Sequence, residues 1–173
     1  MPKSADFSSR INTIDKKIWI FDRDGVLNQK AVEPNRYILA EDSLILNLSV
    51  IDFISQLQRR SLKVTVATNQ QCVGKKLITE AKLAKIHNKI NEAVQKAGGQ
   101  NLTYYVCTHL EADNCVCRKP KPGLLNLIMK DFSTNPQECI FIGDSESDEE
   151  AARTSKIKFL YFGDLQTLIN GLA

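Results

Sequence analysis

Five short apolar runs recur along the chain, and each is followed closely by residues that are charged, polar or metal-seeking. Ile18 to Phe21 leads straight into Asp22-Arg23-Asp24-Gly25, Leu62 to Ala67 into Thr68-Asn69-Gln70, and Leu102 to Val106 into Cys107-Thr108-His109. Cys139 to Ile142 leads into Gly143-Asp144-Ser145, and Lys158 to Phe162 closes the series. Short apolar runs rich in bulky and β-branched residues, ended by turn chemistry, read as strands buried on both faces.

Helical periodicity fills the gaps. From Thr79 to Ala97, Leu83, Ile86, Ile90, Val94 and Ala97 recur at three- and four-residue steps, with Thr79 as N-cap and Gly98 as stop. Asn47 to Arg60 carries Leu48, Ile51, Ile54 and Leu57 at similar spacing. Pro122 opens a further helix to about Phe132, acidic Glu146 to Glu150 suits the first turn of another, and Leu165 to Leu172 is the last. Strands alternating with helices predict an α/β fold: a three-layer, Rossmann-like parallel sheet covered on both faces. Ligands of such sheets bind at the carboxyl ends of the strands, so the polar segments converge in space although they are distant in sequence.

With 173 residues, 43% of them hydrophobic, the chain fills one core, and a single domain over 1–173 is expected, with a polar extension over 1–16. No apolar run approaches the roughly 18 residues that span a bilayer, and the N-terminus has no segment resembling a secretory signal. The expected location is the cytoplasm, without membrane association. A formal charge of +3, its lysines scattered among acids, argues against a dedicated nucleic-acid binder and is enough for an anionic small substrate. Of five cysteines, three (Cys107, Cys115 and Cys117) crowd together with His109, a pattern that points to metal over disulfides. Cys72 and Cys139 read as reduced thiols with no assigned role.

Asp22 and Asp24 leave the first strand two residues apart. Phosphoryl transfer needs a carboxylate nucleophile and a second group to protonate the leaving oxygen, and this loop supplies both. Carboxylates repel phosphate, so a cation must intervene, and Mg²⁺ prefers such oxygen ligands. On its own, Asp-x-Asp-Gly is equally a capped strand-end turn. Thr68 and Asn69 offer a hydroxyl and an amide to phosphate oxygens, or form a simple turn. Arg118-Lys119-Pro120-Lys121-Pro122-Gly123 sets three cations before a helix start, where backbone N–H groups favour anions, and its prolines fix its shape. Asp144, with Asp148 beyond it, adds carboxylates suited to the metal or to the N-terminus of a helix. His87 has no partner at ligand spacing and reads as a surface or core histidine.

These four pieces, in this order and each at a strand end, resemble the haloacid dehalogenase superfamily of phosphatases. Cys107-x-His109 with Cys115-x-Cys117, followed at once by Arg118-Lys119-Pro120, resembles its zinc-containing group, which holds heptose bisphosphate and histidinol-phosphate phosphatases. The resemblance runs from about Ile18 to Ala152. It implies Asp22 as nucleophile, Asp24 as general acid/base, and Thr68 and Lys119 on the transferring phosphoryl group. Asn69 and Arg118 would bind substrate, and Asp22, the Asp24 carbonyl and Asp144 would hold Mg²⁺. Cys107, His109, Cys115 and Cys117 would form a closed, structural zinc site in a loop over 107–117 that pins Arg118. Short connections leave little room for a separate cap domain, so an open site walled by Leu27 to Asn47 and the zinc loop is expected. A monomer acting on a phosphorylated small molecule is expected.

The chain departs from the family pattern at Gln71-Cys72, where Ser-Gly is usual, over Gln29 to Tyr37, and at Ser145, where a lysine is frequent. None of these removes a group needed for bond cleavage. Sugar-phosphate hydrolysis, most like the heptose bisphosphate reaction, is the leading expectation, and Lys121-Pro122-Gly123 leans that way. Histidinol-phosphate hydrolysis is the alternative. A DNA 3′-phosphatase and a non-catalytic, zinc-stabilised binding module rank below both.

Overall fold

The computed structural model describes residues 15–32 and 36–170; the expected polar extension lies almost wholly outside them. Five parallel strands form one sheet in the order β3-β2-β1-β4-β5, with β1 over Ile18–Phe21, β2 over Lys63–Asn69, β3 over Thr103–Cys107, β4 over Cys139–Gly143 and β5 over Lys158–Tyr161. Helices α1 (Leu48–Arg59), α2 (Gln71–Gly74), α3 (Glu80–Lys96), α4 (Gly123–Asp131), α5 (Glu146–Thr154) and α6 (Phe162–Asn170) connect and cover them. This is the three-layer α/β arrangement that the alternating pattern predicts.

Side chains on a strand alternate between faces, and β1 shows how that builds two cores. Trp19 and Phe21 pack with Phe53, Ile54 and Leu57 of α1 and with Ile86 and Ile90 of α3. Ile18 and Ile20 face the opposite side, with Leu125 and Ile128 of α4 and Ala151 and Ala152 of α5. All four β1 residues are buried, which is why the strand reads as a continuous apolar run. Trp19 meets Phe53 edge-on at 5.5 Å.

The caps fall where the sequence places them. Thr79 Oγ1 accepts from the Lys82 N–H at 3.1 Å, and Gly98, at φ +85°, follows the end of α3. Ser145 and Asp148 form a reciprocal capping box at the start of α5. Some boundaries move. The second strand runs on through Thr68 and Asn69, because these pair with Val106 and Cys107 of β3. Phe162 leaves the last strand to begin α6, so that helix starts earlier than Leu165. The short helix α2 carries no periodic signal and is absent from the sequence reading.

Among the described residues the sheet is the only one, and the two long connections carry no second unit. One, between β1 and α1, holds a single 3₁₀ turn at Glu41–Ser43; the other, between β3 and α4, carries the Cys/His cluster and a turn at Glu111–Asp113. No described helix is long and apolar enough to cross a membrane.

Candidate active site

The carboxyl ends of β1, β2 and β4 deliver Asp22, Thr68 and Asp144 to one place. Asp22 extends the sheet by one step, its N–H donating to the Ile142 carbonyl at 2.8 Å. Gly25, at φ +90°, then turns the chain away, and a side chain there would lie 1.9 Å from Asp144 Oδ2. Glycine is therefore required both by the backbone and by the approach of Asp144. The loop folds back on itself: the Arg23 carbonyl accepts from the N–H groups of Val26, Leu27 and Asn28.

Lys119 reaches into this centre from the Cys/His loop and is 4% exposed. Its Nζ donates to Asp22 Oδ1 at 2.8 Å and to the Ala67 carbonyl at 2.9 Å, and lies 2.6 Å from Asp148 Oδ1. Burial works against the lysine charge, but Asp22 and Asp148 overcome it and raise the Lys119 pKa. Burial pushes the Asp22 carboxyl up to about 7 despite the pull of Lys119, and Asp148 adds to the rise. Asp148 also accepts from Ser145 Oγ at 2.6 Å and from the Asp144 and Ser145 N–H groups at 3.3 Å. Its position in the α5 capping box explains how a buried third carboxylate is tolerated.

Asp24 is gripped from three sides. Its oxygens accept from Arg23 Nε and Nη2, from Asn28 Nδ2 at 2.9 Å and from Gln70 Nε2 at 2.7 Å. Burial opposes its ionisation, yet the Arg23 charge and these donors outweigh burial and hold the carboxyl below its usual range. Gln70 also donates to Thr68 Oγ1 at 3.0 Å, linking the ends of β1 and β2.

Asn69, which the sequence assigns to substrate, has both ends of its amide on the Lys119 main chain: Nδ2 donates to the carbonyl at 3.0 Å and Oδ1 accepts from the N–H at 3.1 Å. Arg118 Nη1 is buried without a hydrogen-bond partner among the described residues, a donor left for a ligand. Lys30 Nζ pairs with Asp144 Oδ2 at 2.7 Å, and this hydrogen bond, more than it loses by burial, raises the lysine pKa.

Together Asp22, Asp24, Thr68, Lys119 and Asp144 line a cavity of about 180 Å³. A neighbouring cavity of about 380 Å³ shares Asn69, Lys119 and Ser147 with it and extends along Arg118, Glu111 and Asn114. One carboxylate oxygen each from Asp22, Asp144 and Asp148 lie within 4.8 Å of one another, a donor set that fits one hard divalent cation. The Asp24 side chain is turned from that group to Arg23, so any contact of Asp24 with the cation is left to its main chain.

The loop after β3 brings the ligand atoms of Cys107, His109, Cys115 and Cys117 within 4.8 Å of one another. Sulfur to sulfur separations are 3.2 to 3.7 Å, and His109 Nδ1 is 3.2 Å from Cys117 Sγ. Three thiols and one imidazole gathered this closely are a donor set compatible with zinc. Lys121 Nζ donates to the Asn114 and Cys115 carbonyls and braces the loop.

Every residue that the sequence nominates for the carboxylate centre arrives there except the Asn69 amide, which turns to Lys119. Missing from that reading are Gln70, Asn28, Lys30 and the buried Arg23. Gln70 was visible as the third residue of Thr-Asn-Gln and Asn28 as a polar residue four after Asp24; Lys30 left no signal. Of the departures from the family pattern, Gln71 Nε2 donates to Tyr37 Oη at 2.9 Å, with Lys75 Nζ on the same oxygen at 2.8 Å. That substitution ties the loop after β1 to α2.

The sequence profile of the polynucleotide kinase 3 phosphatase family matches residues 17–162. A D-glycero-β-D-manno-heptose-1,7-bisphosphate 7-phosphatase of Neisseria meningitidis is 37% identical over 135 residues, covering 78% of this chain and 71% of that protein. The bifunctional histidine biosynthesis protein HisB of Legionella pneumophila is 32% identical over 145 residues, 84% of this chain but 41% of that protein. The crystal structure of the heptose 1,7-bisphosphate phosphatase of Bordetella bronchiseptica, complexed with magnesium and phosphate, superposes with a TM-score of 0.77 at 31% identity, over 83% of this chain and 78% of that one. A HAD-like phosphatase of Mesorhizobium loti shares the fold with a TM-score of 0.75 at 21% identity, over 91% of this chain and 88% of that one.

Proposed function

Because this chain belongs to the polynucleotide kinase 3 phosphatase family, within the haloacid dehalogenase superfamily of phosphatases, we propose that it hydrolyses a sugar phosphate monoester, most like heptose 1,7-bisphosphate at its 7-phosphate, through an aspartyl-phosphate on Asp22. The observation that carries this is the buried Asp22 carboxylate, paired with Lys119 at 2.8 Å on the wall of a cavity that Asp144 and Thr68 also line.

An Asp22 oxygen attacks phosphorus, and the ester oxygen departs with a proton from Asp24, which first takes that proton from solvent as the anionic substrate binds, against the pull of Arg23 that keeps it a carboxylate in the free site; the phosphoryl group is left on Asp22. Asp24, now a carboxylate, takes a proton from water, which attacks the acyl phosphate and releases inorganic phosphate and free Asp22. Lys119 sits against the oxygen of Asp22 and neutralises charge on the transferring group, while the Thr68 hydroxyl orients it. Arg118, with its free buried donor, holds the remainder of the substrate along the larger cavity. Asp22, Asp144 and the main chain of Asp24 hold Mg²⁺, which when bound screens the carboxylates from the phosphate and polarises it. The four Cys/His ligands hold zinc as a structural clip beneath Arg118.

We take the protein to act as a monomer without nucleic acid; every site residue named above comes from one chain. Thiols that must stay reduced to hold zinc suit a reducing compartment, here the cytoplasm. Likeness to the Legionella HisB protein keeps histidinol phosphate as the second candidate substrate.

Phosphate release is to be measured on heptose 1,7-bisphosphate, histidinol phosphate, other sugar phosphates and a 3′-phosphorylated oligonucleotide, with Mg²⁺ and with EDTA. The expected result is Mg²⁺-dependent turnover, highest on heptose bisphosphate and abolished in Asp22→Asn. A preference for histidinol phosphate or the oligonucleotide overturns the substrate, and turnover that survives in Asp22→Asn overturns the mechanism.

A further inference from the structure

Arg23 stands between the two aspartates of the β1 loop, and its side chain is 0% exposed. A buried guanidinium must have its charge and its donors answered. Nε and Nη2 turn to Asp24, at 3.1 Å for Nε to Oδ1 and at 2.8 and 2.9 Å for Nη2 to the two oxygens. Nη1 turns the other way and lies 3.3 Å from Nε2 of His87, on the buried side of α3.

A guanidinium only donates, so this contact is a hydrogen bond only if His87 Nε2 accepts, which places the imidazole proton on Nδ1. Burial first, and the Arg23 charge next, hold the His87 pKa down to about 3. The ring therefore stays neutral, and its Nε2 lone pair stays available, in any ordinary assay. The imidazole also lies flat on Tyr104, with ring centroids 4.0 Å apart and planes 5° apart. Tyr104 Oη in turn is tied to α3 through the His87 carbonyl at 3.3 Å and Asn91 Oδ1 at 3.4 Å. The ring cannot rotate off Arg23 without losing that stack.

We propose that His87 is a positioning residue for the proton-transfer steps: by fixing the Arg23 guanidinium it sets where the Asp24 carboxylate stands relative to the leaving oxygen. This rests on the assignment of Asp24 as proton donor made above. The ion pair with Asp24 leaves Nη1 of the guanidinium still to be answered. The added partner comes from a helix far along the chain, accepts the one guanidinium nitrogen aimed away from Asp24, and is itself locked by stacking. With Nη1 tethered, the fork that faces Asp24 has one orientation, and Asn28 and Gln70 complete the cradle around the carboxylate. Small displacements of an acid/base group cost rate far more than they cost binding. Substrate contacts through Lys119 and Arg118 do not pass through His87, so its loss falls on kcat and leaves KM.

The test uses the dependence on leaving group. A sugar alkoxide needs a proton to depart, whereas p-nitrophenolate departs without one, so a misplaced Asp24 slows the first substrate and spares the second. Steady-state kinetics are compared for the full chain, His87→Phe, which keeps a ring against Tyr104 but has no acceptor, and His87→Gln, which restores one. His87→Phe is expected to lose about tenfold or more in kcat on the sugar phosphate with KM unchanged, a modest share of what a general acid supplies, and no more than about twofold on p-nitrophenyl phosphate. His87→Gln is expected to recover most of that loss. Equal losses on both substrates, no loss, or failure of His87→Gln to recover where the protein melts normally overturns the proposal. Asp24→Asn in the same assay separates the two layers: if it shows no leaving-group dependence, the assignment of Asp24 fails, and if it does while His87→Phe does not, only the role of His87 fails. The tautomer is read independently in the unmodified protein from the imidazole ¹⁵N shifts, where a proton on Nε2 would overturn the proposal without recourse to any variant.

Discussion

The carboxylate centre and the Cys/His loop both gather ligand atoms within 4.8 Å, yet they reach that density by different routes. Asp22, Thr68, Lys119, Asp144 and Asp148 are spread over most of the chain. They meet because β1, β2 and β4 are locked in register and buried, and because Lys119 and Asp148 answer each other's charge. Cys107, His109, Cys115 and Cys117 come from one stretch; His109 is exposed, and Cys115 and Cys117 are only half-buried. Beneath the carboxylates, packing creates the geometry and an ion would occupy it. In the loop, little but the ion would hold the geometry, since reduced thiols at 3.2 to 3.7 Å from one another gain little by themselves.

The largest effect expected from this contrast is Asp22→Asn. Activity falls by roughly a thousandfold or more, as for loss of a nucleophile. The melting temperature holds or rises, because burial already pushes the Asp22 carboxyl up to about 7 and asparagine removes a charge that the fold accommodates at a cost. Kinetics and thermal melting on one preparation decide it: a melting temperature that drops along with activity means the centre is not preformed.

Metal removal should separate the two regions next. Withdrawing Mg²⁺ alone stops turnover but shifts the melting temperature by no more than about 2 °C, while a zinc-selective chelator, or Cys117→Ser, lowers it by on the order of 5–10 °C. Elemental analysis before and after treatment checks that zinc has left. Because Arg118 and Lys119 follow Cys117 directly, Cys117→Ser also loses activity, with KM rising more than kcat falls. A loop that keeps its melting temperature without zinc breaks the comparison.

A third expectation concerns pH. His87 titrates near 6.5 when unfolded but only at about 3 in the fold, where Arg23 and Asp24 face it across the β1 loop and Tyr104 covers the ring. Between these values the unfolded chain binds a proton that the folded one refuses. Stability contributed by the neutral ring is therefore complete above about 6.5 and is lost as pH falls, by about 2 kcal/mol at pH 5. Asp22, raised to about 7, works in the opposite sense over the same window, so the His87 part is read as the difference between the unmodified protein and His87→Phe in urea unfolding at pH 7.5 and pH 5. An unchanged slope in the variant means the ring is protonated in place and the stack with Tyr104 is looser than its geometry implies.

Much of this was legible in the sequence, for definable reasons. Strand order aside, the sheet was written in runs such as Ile18 to Phe21, which carry no alternation because α1 and α3 cover one face and α4 and α5 the other. The Asp22-Arg23-Asp24-Gly25 loop and the Cys/His spacing are local patterns, and local patterns survive in one dimension. What escaped was tertiary. His87 looked like a residue without partners because its partner, Arg23, lies on another element. Asn69 lines the candidate cavities as expected of a substrate contact, but nothing local says that both ends of its amide also hold the Lys119 main chain. Asp148 sat among acids suited to a metal, but its place in the capping box gives it Lys119 to hold as well. Thr68 and Asn69 read as loop because their pairing with β3 is not encoded in their own propensities.

The smallest expected effect tests how far the preformed character of the carboxylate centre extends. Lys30 leaves the β1 loop and sets its ammonium 2.7 Å from Asp144 Oδ2, and its side chain is 59% exposed. A pair so open to water contributes about 0–1 kcal/mol, less in salt, so its removal leaves the fold alone. Its charge nevertheless sits beside Asp144, one of the carboxylates that would hold the divalent cation, and like charges compete for one ligand. Lys30→Ala should therefore lower the Mg²⁺ concentration for half-saturation about threefold, with kcat at saturating Mg²⁺ unchanged, the factor corresponding to well under 1 kcal/mol. Isothermal titration with Mg²⁺ reads this without turnover. An increase instead means that Lys30 helps orient Asp144 toward the cation, and the loop after β1 then belongs with the packed strands as part of what builds the centre.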